Sequence, residues 1–323
     1  MNIPTSLRRA KAPLALTAAV MLAASACGGG DAGGSGDGLS GKVLIDGSST
    51  VAPLTSAAAE FYAEEPGKNE VRVTVATSGT GGGFKKFCVG ESDISNASRP
   101  IKDEEVKTCE ENNVKYEQFA VANDGLSVVV SKDNTWAKCL TVEQLKKIWE
   151  PGSKVNNWNQ VDPKFPNEPL KLFGAGTDSG TFDYFTEAIN GEEGASRTDY
   201  SGTEDDNVTV TGVSGTKGGM GYFGYSYYEE NKDKVKVLDI DGGDGCVTPS
   251  VESVQDGSYK PLGRQLYIYP SDAGLKKKQV LDFVEYYVEN NKKIAEDAQF
   301  IPLNAEQEKE LEANLAKLKE AAK

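Results

Sequence analysis

The sequence predicts an α/β protein built from two lobes, and three observations support this fold class. Strand-like and helix-like segments alternate along the chain, as they do in α/β domains. Residues 42 to 323 are too many for one ordinary hydrophobic core. Short turns rich in glycine, serine and threonine follow several predicted strands. We therefore expect two α/β lobes with polar turns at their strand ends.

The N-terminal residues have the pattern of an export signal. Residues 1 to 26 carry three basic residues and then an uncharged run that is too short to span a bilayer. Residues 22 to 27 (LAASAC) resemble a bacterial lipobox, in which the cysteine becomes a lipidated N-terminus. We expect a signal peptide over residues 1 to 26 and a lipid anchor at Cys27. Residues 27 to 41 have the composition of a flexible tether. A buried N-terminal helix is the alternative.

Charge and residue usage exclude several function classes. The chain has a formal net charge of −14, and without the three positive charges of the leader residues 27 to 323 carry −17. This net negative charge disfavours nucleic acid as a binding partner. The chain has no histidine, which removes Ser-His-Asp and Cys-His nucleophiles. It also has no CxxC pair, which disfavours zinc. We expect no catalytic residue, no metal and no cofactor.

The cysteines beyond Cys27 suit an oxidising compartment. Cys88, Cys109, Cys139 and Cys246 are an even set that can form two disulfides. Three pairings are possible. We favour Cys88 with Cys109 and Cys139 with Cys246.

Four predicted strands each end in a polar turn that leads into a helix. A helix N-terminus offers unpaired N–H groups and the positive end of a dipole, so such a turn can hold a small anion without lysine. In open α/β sheets, ligands bind beyond the carboxyl ends of the strands, where these turns converge. The strand, turn and helix runs are residues 42–66, 71–89, 93–105 and 170–189.

The rest of the chain gives further elements. Strands at 116–122 and 126–131 are expected to flank a turn at Asn123, Asp124 and Gly125. Residues 208–228 contain strand-like residues and an aromatic run, which we expect to pack in the core rather than stack on a ligand. Further strands are predicted at 235–240 and 264–269, and further helices at 140–149, 276–290 and 305–322.

The ligand that fits these turns is a phosphate-sized anion without a nucleoside. Residues 174 to 181 lack the lysine of the GxxxxGK[ST] motif, and no GxGxxG opens a helix elsewhere. Hydroxyl and guanidinium groups at the four turns supply the donors. They belong to Ser49, Thr50, Ser78, Thr80, Ser98, Arg99, Ser179 and Thr181.

Seven stretches along the chain form a recognisable pattern. They are 47–53 (GSSTVAP), 78–83 (SGTGGG), 97–101 (ASRPI), 140–149 (LTVEQLKKIW), 176–182 (GTDSGTF), 221–225 (GYFGY) and 261–264 (PLGR). In these stretches the sequence resembles the phosphate-binding lipoproteins of bacterial phosphate ABC transporters, and the resemblance extends over the whole mature chain. It implies a type II periplasmic-binding-protein fold, an α/β fold with two lobes joined by two crossing hinge strands. We expect lobe 1 at 42–129 plus 264–323, lobe 2 at 130–263, and crossings at 126–131 and 264–269.

The resemblance also implies the binding residues. Ser98 stands where the best-known members have a ligand-facing aspartate, and Ala175 stands where they have an arginine. Our hypothesis is that Arg99 supplies the missing guanidinium; a surface position or an ion pair at a helix end is the alternative. Asp178 or Asp46 is a candidate to replace the aspartate, and Ser78 is a further candidate donor. The positions that match the family's donors are Ser49, Thr50, Thr80, Ser179, Gly180 and Thr181.

The resemblance implies a monomeric receptor at the extracytoplasmic face of a bacterial cell membrane, in the periplasm or on the cell surface. This receptor would bind inorganic phosphate and deliver it to a membrane ABC permease. A receptor for sulfate, phosphite or another oxyanion is the alternative within the same class. A secreted phosphohydrolase is the alternative from another class, and the missing histidines disfavour it.

Overall fold

The computed structural model describes residues 39 to 321. The predicted signal peptide, Cys27 and most of the predicted tether lie outside these residues. The strands are β1 Ser40–Gly47, β2 Glu70–Thr77, β3 Ile94–Ala97, β4 Phe119–Ser131, β5 Cys139–Thr141, β6 Lys171–Ala175, β7 Ser201–Thr203, β8 Gly219–Gly224, β9 Val235–Val237, β10 Asp239–Asp241, β11 Cys246–Val247 and β12 Gly263–Pro270. The helices are α1 Ala52–Glu64, α2 Gly79–Phe87, α3 Asp103–Glu111, α4 Val142–Trp149, α5 Trp158–Val161, α6 Gly180–Asn190, α7 Asp206–Ser214, α8 Tyr225–Asn231, α9 Val251–Gln255, α10 Asp272–Leu275, α11 Lys278–Glu289, α12 Asn291–Asp297 and α13 Ala305–Ala321.

A long mixed sheet runs through the described part of the chain. Its strand order is β2-β1-β3-β12-β4-β8-β6-β7, with β9 beside β4, and β11, β10 and β5 form a small second sheet. β1 is parallel to β2 and β3, whereas β12 is antiparallel to β3 and β4. The central strands β4 and β12 are therefore the connections between the two ends of the sheet, as predicted for the crossing strands.

β4 corrects one prediction. The expected turn at 123–125 does not occur, because these residues continue the strand. They pair with β12 in a regular register that sets Asn123 opposite Gln265, Asp124 opposite Arg264 and Gly125 opposite Gly263. Pairing with a strand that is distant in sequence overrides the local turn preference.

The four predicted strand-to-helix turns are present, with one shift in a boundary. Helix α2 begins at Gly79, inside the glycine run, rather than at Phe84. The glycines let α2 lie directly on the turn after β1, since a Cβ on Gly83 would be 2.5 Å from the Cα of Gly47. The last turn, at α6, is capped by Ser179, whose side chain accepts a hydrogen bond from Thr181 N.

Two further boundaries differ from the predictions. Residues 40 and 41 of the predicted tether belong to β1, where Ser40 pairs with Glu70. Residues 208 to 214 are helical rather than strand-like, because Asp205 caps α7 by accepting a hydrogen bond from Asn207 N. Of the aromatic run, Tyr222, Phe223 and Tyr225 are buried as expected, whereas Tyr227 and Tyr228 are partly exposed.

Two large hydrophobic clusters follow the halves of the sheet. One joins buried residues between 43 and 122 with residues between 266 and 318. The other joins residues between 126 and 262 with Ile301. The proposed lobe boundaries stay predictions, and these clusters are compatible with them.

Both disulfide pairings are confirmed. Cys88 at the end of α2 is bonded to Cys109 in α3, and Cys139 in β5 is bonded to Cys246 in β11. Among residues 39 to 321, no helix has both the length and the apolar character needed to cross a membrane.

Candidate anion-binding site

Donors from three of the predicted turns meet in one small chamber. Ser49, Thr50, Thr80 and Ser98 all line it, at the carboxyl ends of β1, β2 and β3. The hydroxyl oxygens of Thr80 and Ser98 are 2.9 Å apart, and Ser98 N donates to Thr80 Oγ1 at 3.1 Å. The structure therefore brings together the predicted donors of the first three turns.

The cation of this chamber is Arg264, a residue that was expected only as part of a crossing strand and not as a ligand-binding residue. Its side chain is only 12% exposed. Nη2 donates to Thr50 Oγ1 at 3.0 Å, and the guanidinium carbon lies 3.3 Å from the ring centroid of Tyr184. Stacking on an aromatic ring holds the guanidinium plane in place. Among the described residues Nη1 has no hydrogen-bond partner, so it remains available to a ligand.

Asp124 holds Arg264 from the neighbouring strand. The two residues are opposite each other in the β4–β12 register, and Arg264 Nε lies 3.4 Å from Asp124 Oδ2. Burial raises the pKa of Asp124, and the charge of Arg264 opposes that rise. Because both side chains are buried, removal of the arginine alone would leave an unpaired charge inside the protein. The pair therefore fixes a cation where the crossing strands meet the cleft.

Donors of the fourth turn line an adjoining cavity. Ser179, Gly180 and Thr181 border a cavity of about 240 Å³ that shares Ser49 and Thr50 with the chamber. Thr50 Oγ1 donates to Gly180 O at 3.1 Å. A Cβ on Gly180 would lie 2.7 Å from Thr50 N, so only glycine permits this approach. The fourth turn thus faces the first turn directly across the cleft.

Carboxylates from α6 and the loop after it form the opposite wall of the chamber. They belong to Asp183, Glu187 and Glu193, and sequence reasoning missed all three. Asp183 Oδ2 accepts a hydrogen bond from Ser49 Oγ at 2.6 Å. The pKa of Glu193 is raised by burial and by the charges of Asp183 and Glu187. The spacing of Asp183 and Glu187, four residues apart in a predicted helix, was the available signal.

Arg99 has a different partner from the one that our hypothesis required. Its Nη1 and Nη2 donate to the two carboxylate oxygens of Glu105 at 2.8 and 2.9 Å. Glu105 lies in the first turn of α3, and its hydrogen bonds raise the pKa of Arg99. This is the alternative of an ion pair at a helix end. The guanidinium that lines the chamber belongs to Arg264 instead.

The remaining candidates lie away from the chamber. Asp46 accepts hydrogen bonds from Ser78 Oγ and Gly47 N, each at 2.8 Å, and pairs with Lys86. Although burial acts to raise it, these partners lower the pKa of Asp46. Asp178 is exposed. Asp46 and Ser78 therefore satisfy each other, and neither they nor Asp178 line the chamber.

The described residues do not contain a metal centre. Within the range 39 to 321, no group of three or more His, Cys, Asp or Glu side chains is arranged to hold a metal ion.

Ala175, at the position where the resemblance places the family's arginine, is 2% exposed and packs in the core. The chamber therefore offers hydroxyls, one guanidinium and facing carboxylates. With two α/β halves joined by crossing strands, this chamber defines a two-lobed binding protein for a small anion.

Comparison with known proteins agrees with this class. Residues 32 to 291 match a family model that is described as "PBP superfamily domain". The protein SphX of Synechococcus elongatus is 48% identical over 81% of this chain and 78% of its own length. The phosphate-binding protein PstS of Staphylococcus saprophyticus is 43% identical over 86% of this chain and 85% of its own length. The chain belongs to the PBP superfamily and, within it, to the family that contains PstS and SphX.

A solved structure confirms the predicted type II periplasmic-binding-protein fold. It is the crystal structure of a possible phosphate binding protein from Planctomyces limnophilus. It is 44% identical, covers 87% of this chain and 99% of its own, and superposes with a TM-score of 0.83.

Proposed function

We propose that this chain is a receptor that binds inorganic phosphate outside the cytoplasm and delivers it to a membrane ABC permease. The observation that carries the proposal is the chamber in which Arg264 faces the hydroxyls of Thr50, Thr80 and Ser98. Hydrogen bonds to a charged oxyanion are stronger than neutral ones, most of all in a site that excludes water. The named relatives support phosphate as the anion.

Phosphate can contact the donors of the chamber and those of the fourth turn together only if it displaces two hydrogen bonds within the protein. Ser49 is hydrogen-bonded to Asp183, and Thr50 is hydrogen-bonded to Gly180 O, so both hydroxyls already have acceptors in the structure. Phosphate oxygens replace these acceptors, and they also accept hydrogen bonds from the N–H groups at the start of α6. Arg264 Nη1 supplies the charge-assisted hydrogen bond.

Asp183 is our candidate for the carboxylate that replaces the family's aspartate. It faces Ser49 at 2.6 Å, whereas Asp178 is exposed and Asp46 is bonded to Ser78. A phosphate oxygen next to Ser49 lies against this carboxylate and is accepted there only if it carries a proton. Sulfate has no such proton at neutral pH and is repelled. A receptor for sulfate or phosphite is the alternative, which the measured anion selectivity tests.

Titration calorimetry with phosphate, arsenate, sulfate and phosphite tests the function. We expect phosphate and arsenate to bind tightly and sulfate to bind weakly or not at all. Tight sulfate or phosphite binding without phosphate binding would overturn the proposal. We also expect no release of phosphate from a chromogenic phosphate ester, and steady turnover of that ester would favour the phosphohydrolase.

The lipid anchor and the monomeric state belong to the same proposal. The lipobox pattern ending at Cys27 supports anchoring of the receptor to the cell membrane. Replacement of Cys27 by serine should release the protein from membranes into the soluble extracytoplasmic fraction. Light scattering of the soluble domain should give the mass of one chain, and a dimer mass would contradict the monomer.

A further inference from the structure

The chain passes the cleft a third time in the segment between α12 and α13. We call residues 298 to 307, which include the first residues of α13, the hinge segment. We propose that the hinge segment is a third connection between the lobes, which stabilises the closed cleft and positions Arg264. The proposal rests on the proposed function only for the identity of the ligand.

The first observation is that the hinge segment is hydrogen-bonded to crossing strand β4. Asn123 N donates to Ile301 O at 2.8 Å, and Ile301 N donates to Asn123 O at 3.0 Å. Asn123 Nδ2 also donates to Pro302 O at 3.1 Å. Asn123 directly precedes Asp124 in the chain, so these bonds fix the backbone next to the carboxylate that holds Arg264.

The second observation is a reciprocal pair of buried amides. Asn123 Nδ2 donates to Gln307 Oε1 at 2.9 Å, and Gln307 Nε2 donates to Asn123 Oδ1 at 3.0 Å. Asn123 is fully buried and Gln307 is 9% exposed. A buried amide that loses its partner is destabilised by its full desolvation penalty. The pair therefore strongly favours this one arrangement. Helix α13 is thereby linked to the strand that carries Asp124.

The third observation is that the hinge segment also contacts the other half of the protein. Gln255 Nε2 in α9 donates to Pro302 O at 2.8 Å. Ile301 is 3% exposed and belongs to the hydrophobic cluster of residues 126 to 262. Gln299 Nε2 reaches Glu230 Oε1 at 3.4 Å. The segment therefore joins elements that the two-strand description leaves unconnected.

The hinge segment lies on the side of the cleft rather than behind it. Residues 298 to 301 form one wall of the 240 Å³ cavity whose other walls include Thr50 and Thr181. Opening of the cleft widens this cavity and draws α9 away from Pro302. The φ of 60° at Gln299 is the left-handed residue that ends α12, where Gln299 N donates to Glu296 O and Phe300 N donates to Ala295 O. In this proposal, the contacts with Gln255 and Glu230 are made in the closed form only.

Replacement of Gln255 by alanine tests the proposal without touching the chamber. Gln279→Ala is the matched control, because Gln279 Nε2 donates to the backbone oxygen of Lys42 at 3.1 Å, away from the hinge segment. Each variant loses one amide-to-carbonyl hydrogen bond. We expect Gln255→Ala to raise the phosphate Kd about 3- to 10-fold, mainly through faster dissociation, and Gln279→Ala to leave it unchanged.

Gln307→Ala tests the positioning of Arg264 through Asn123. Because Gln255 and Gln307 act through the same segment, we expect the double variant to weaken binding less than the two single effects combined. If Gln307→Ala does not fold, Gln255→Ala still decides the matter. Equal phosphate dissociation rates for Gln255→Ala and Gln279→Ala, together with equal radii of gyration without ligand, would overturn the proposal.

A ligand-free measurement separates this proposal from the proposed function. If the unaltered protein does not bind phosphate, the proposed function fails. Small-angle scattering of ligand-free Gln255→Ala still tests the hinge segment, because the loss of a closed-form contact should increase the radius of gyration relative to Gln279→Ala. An unchanged radius in that case would overturn the third connection as well.

Discussion

Replacement of Arg264 by lysine tests the assignment of the cation in the chamber. Lysine keeps the positive charge next to Asp124, so the buried carboxylate is not left unpaired. It loses the planar fork, whose Nη2 reaches Thr50 and whose Nη1 we assign to the ligand. It also loses the stacking on Tyr184 at 3.3 Å. The Tyr184 contact exists without ligand, so its loss lowers the stability of the fold rather than the affinity for phosphate. Loss of a charge-assisted hydrogen bond to the ligand costs about 1.5 to 3 kcal/mol of binding free energy.

From the hydrogen bond to the ligand we expect a loss of about 2 kcal/mol of binding free energy, or about a 30-fold rise in the phosphate Kd. The assay is titration calorimetry on protein from which bound phosphate has been removed, at fixed ionic strength. Arg99→Lys is the matched control, because Arg99 is held by Glu105 outside the chamber lining. We expect its Kd to stay within about twofold of the unaltered protein.

Two outcomes would refute this reasoning. If Arg264→Lys bound phosphate as the unaltered protein does, Arg264 would not be the cation of the site. If Arg99→Lys weakened binding more than Arg264→Lys, the ligand guanidinium would belong to Arg99, as the sequence hypothesis had it. Thermal unfolding of both variants checks that neither result comes from a damaged fold.

Three further predictions follow from the cleft and its rim. Asp183→Asn removes the carboxylate beside Ser49, so the ratio of sulfate to phosphate Kd should fall about tenfold or more, which is about 1.4 kcal/mol; an unchanged ratio in calorimetry would exclude Asp183 as the selective group. Gly180→Ala places a methyl group 2.7 Å from Thr50 N, which should cost about 1 to 3 kcal/mol of closure free energy and be visible as weaker phosphate binding with little change in thermal stability. Burial and neighbouring acids raise the pKa of Asp206 from 3.8 to about 6. The folded form therefore binds the carboxyl proton of Asp206 more tightly than the unfolded form, and stability falls as the pH rises from about 4 to 6. In denaturant unfolding at pH 7, the free energy of unfolding of Asp206→Asn should exceed that of the unaltered protein by about 2 kcal/mol, and at pH 3.5 there should be no such gain.

The parts of the site that depend on local sequence were predictable. Turns that contain Ser49, Thr80 and Ser179 combine glycines and hydroxyls at strand ends, and the structure places each of them at the start of a helix. The physical reason is that capping and tight turns depend on neighbouring residues only. Local chemistry therefore identified these turns as candidate donors before any tertiary contact was known.

The charges of the site were not predictable by the same route. Arg264 and Asp124 meet only because β12 and β4 pair in one particular register, across 140 residues of sequence. The same pairing turned the expected Asn-Asp-Gly turn into a continuous strand. Arg99 was a reasonable choice from position alone, but the spacing left open the alternative of an ion pair at a helix end, which Glu105 forms. Long-range strand pairing is the step at which single-sequence reasoning loses information.

The pairing of Arg264 with Asp124 also bears on how the electrostatic potential of the cleft would change in the lobe closure that we propose. Arg264 lies on crossing strand β12, so a rotation about β4 and β12 would move it little. Asp183 and Glu193 lie on the far wall and would be carried away by the same rotation. An open cleft would then present an incoming anion with a stationary positive charge and distant negative charges, which favours capture by long-range attraction. Closure would bring the acids back to the ligand, where the proposed role of Asp183 favours a protonated anion.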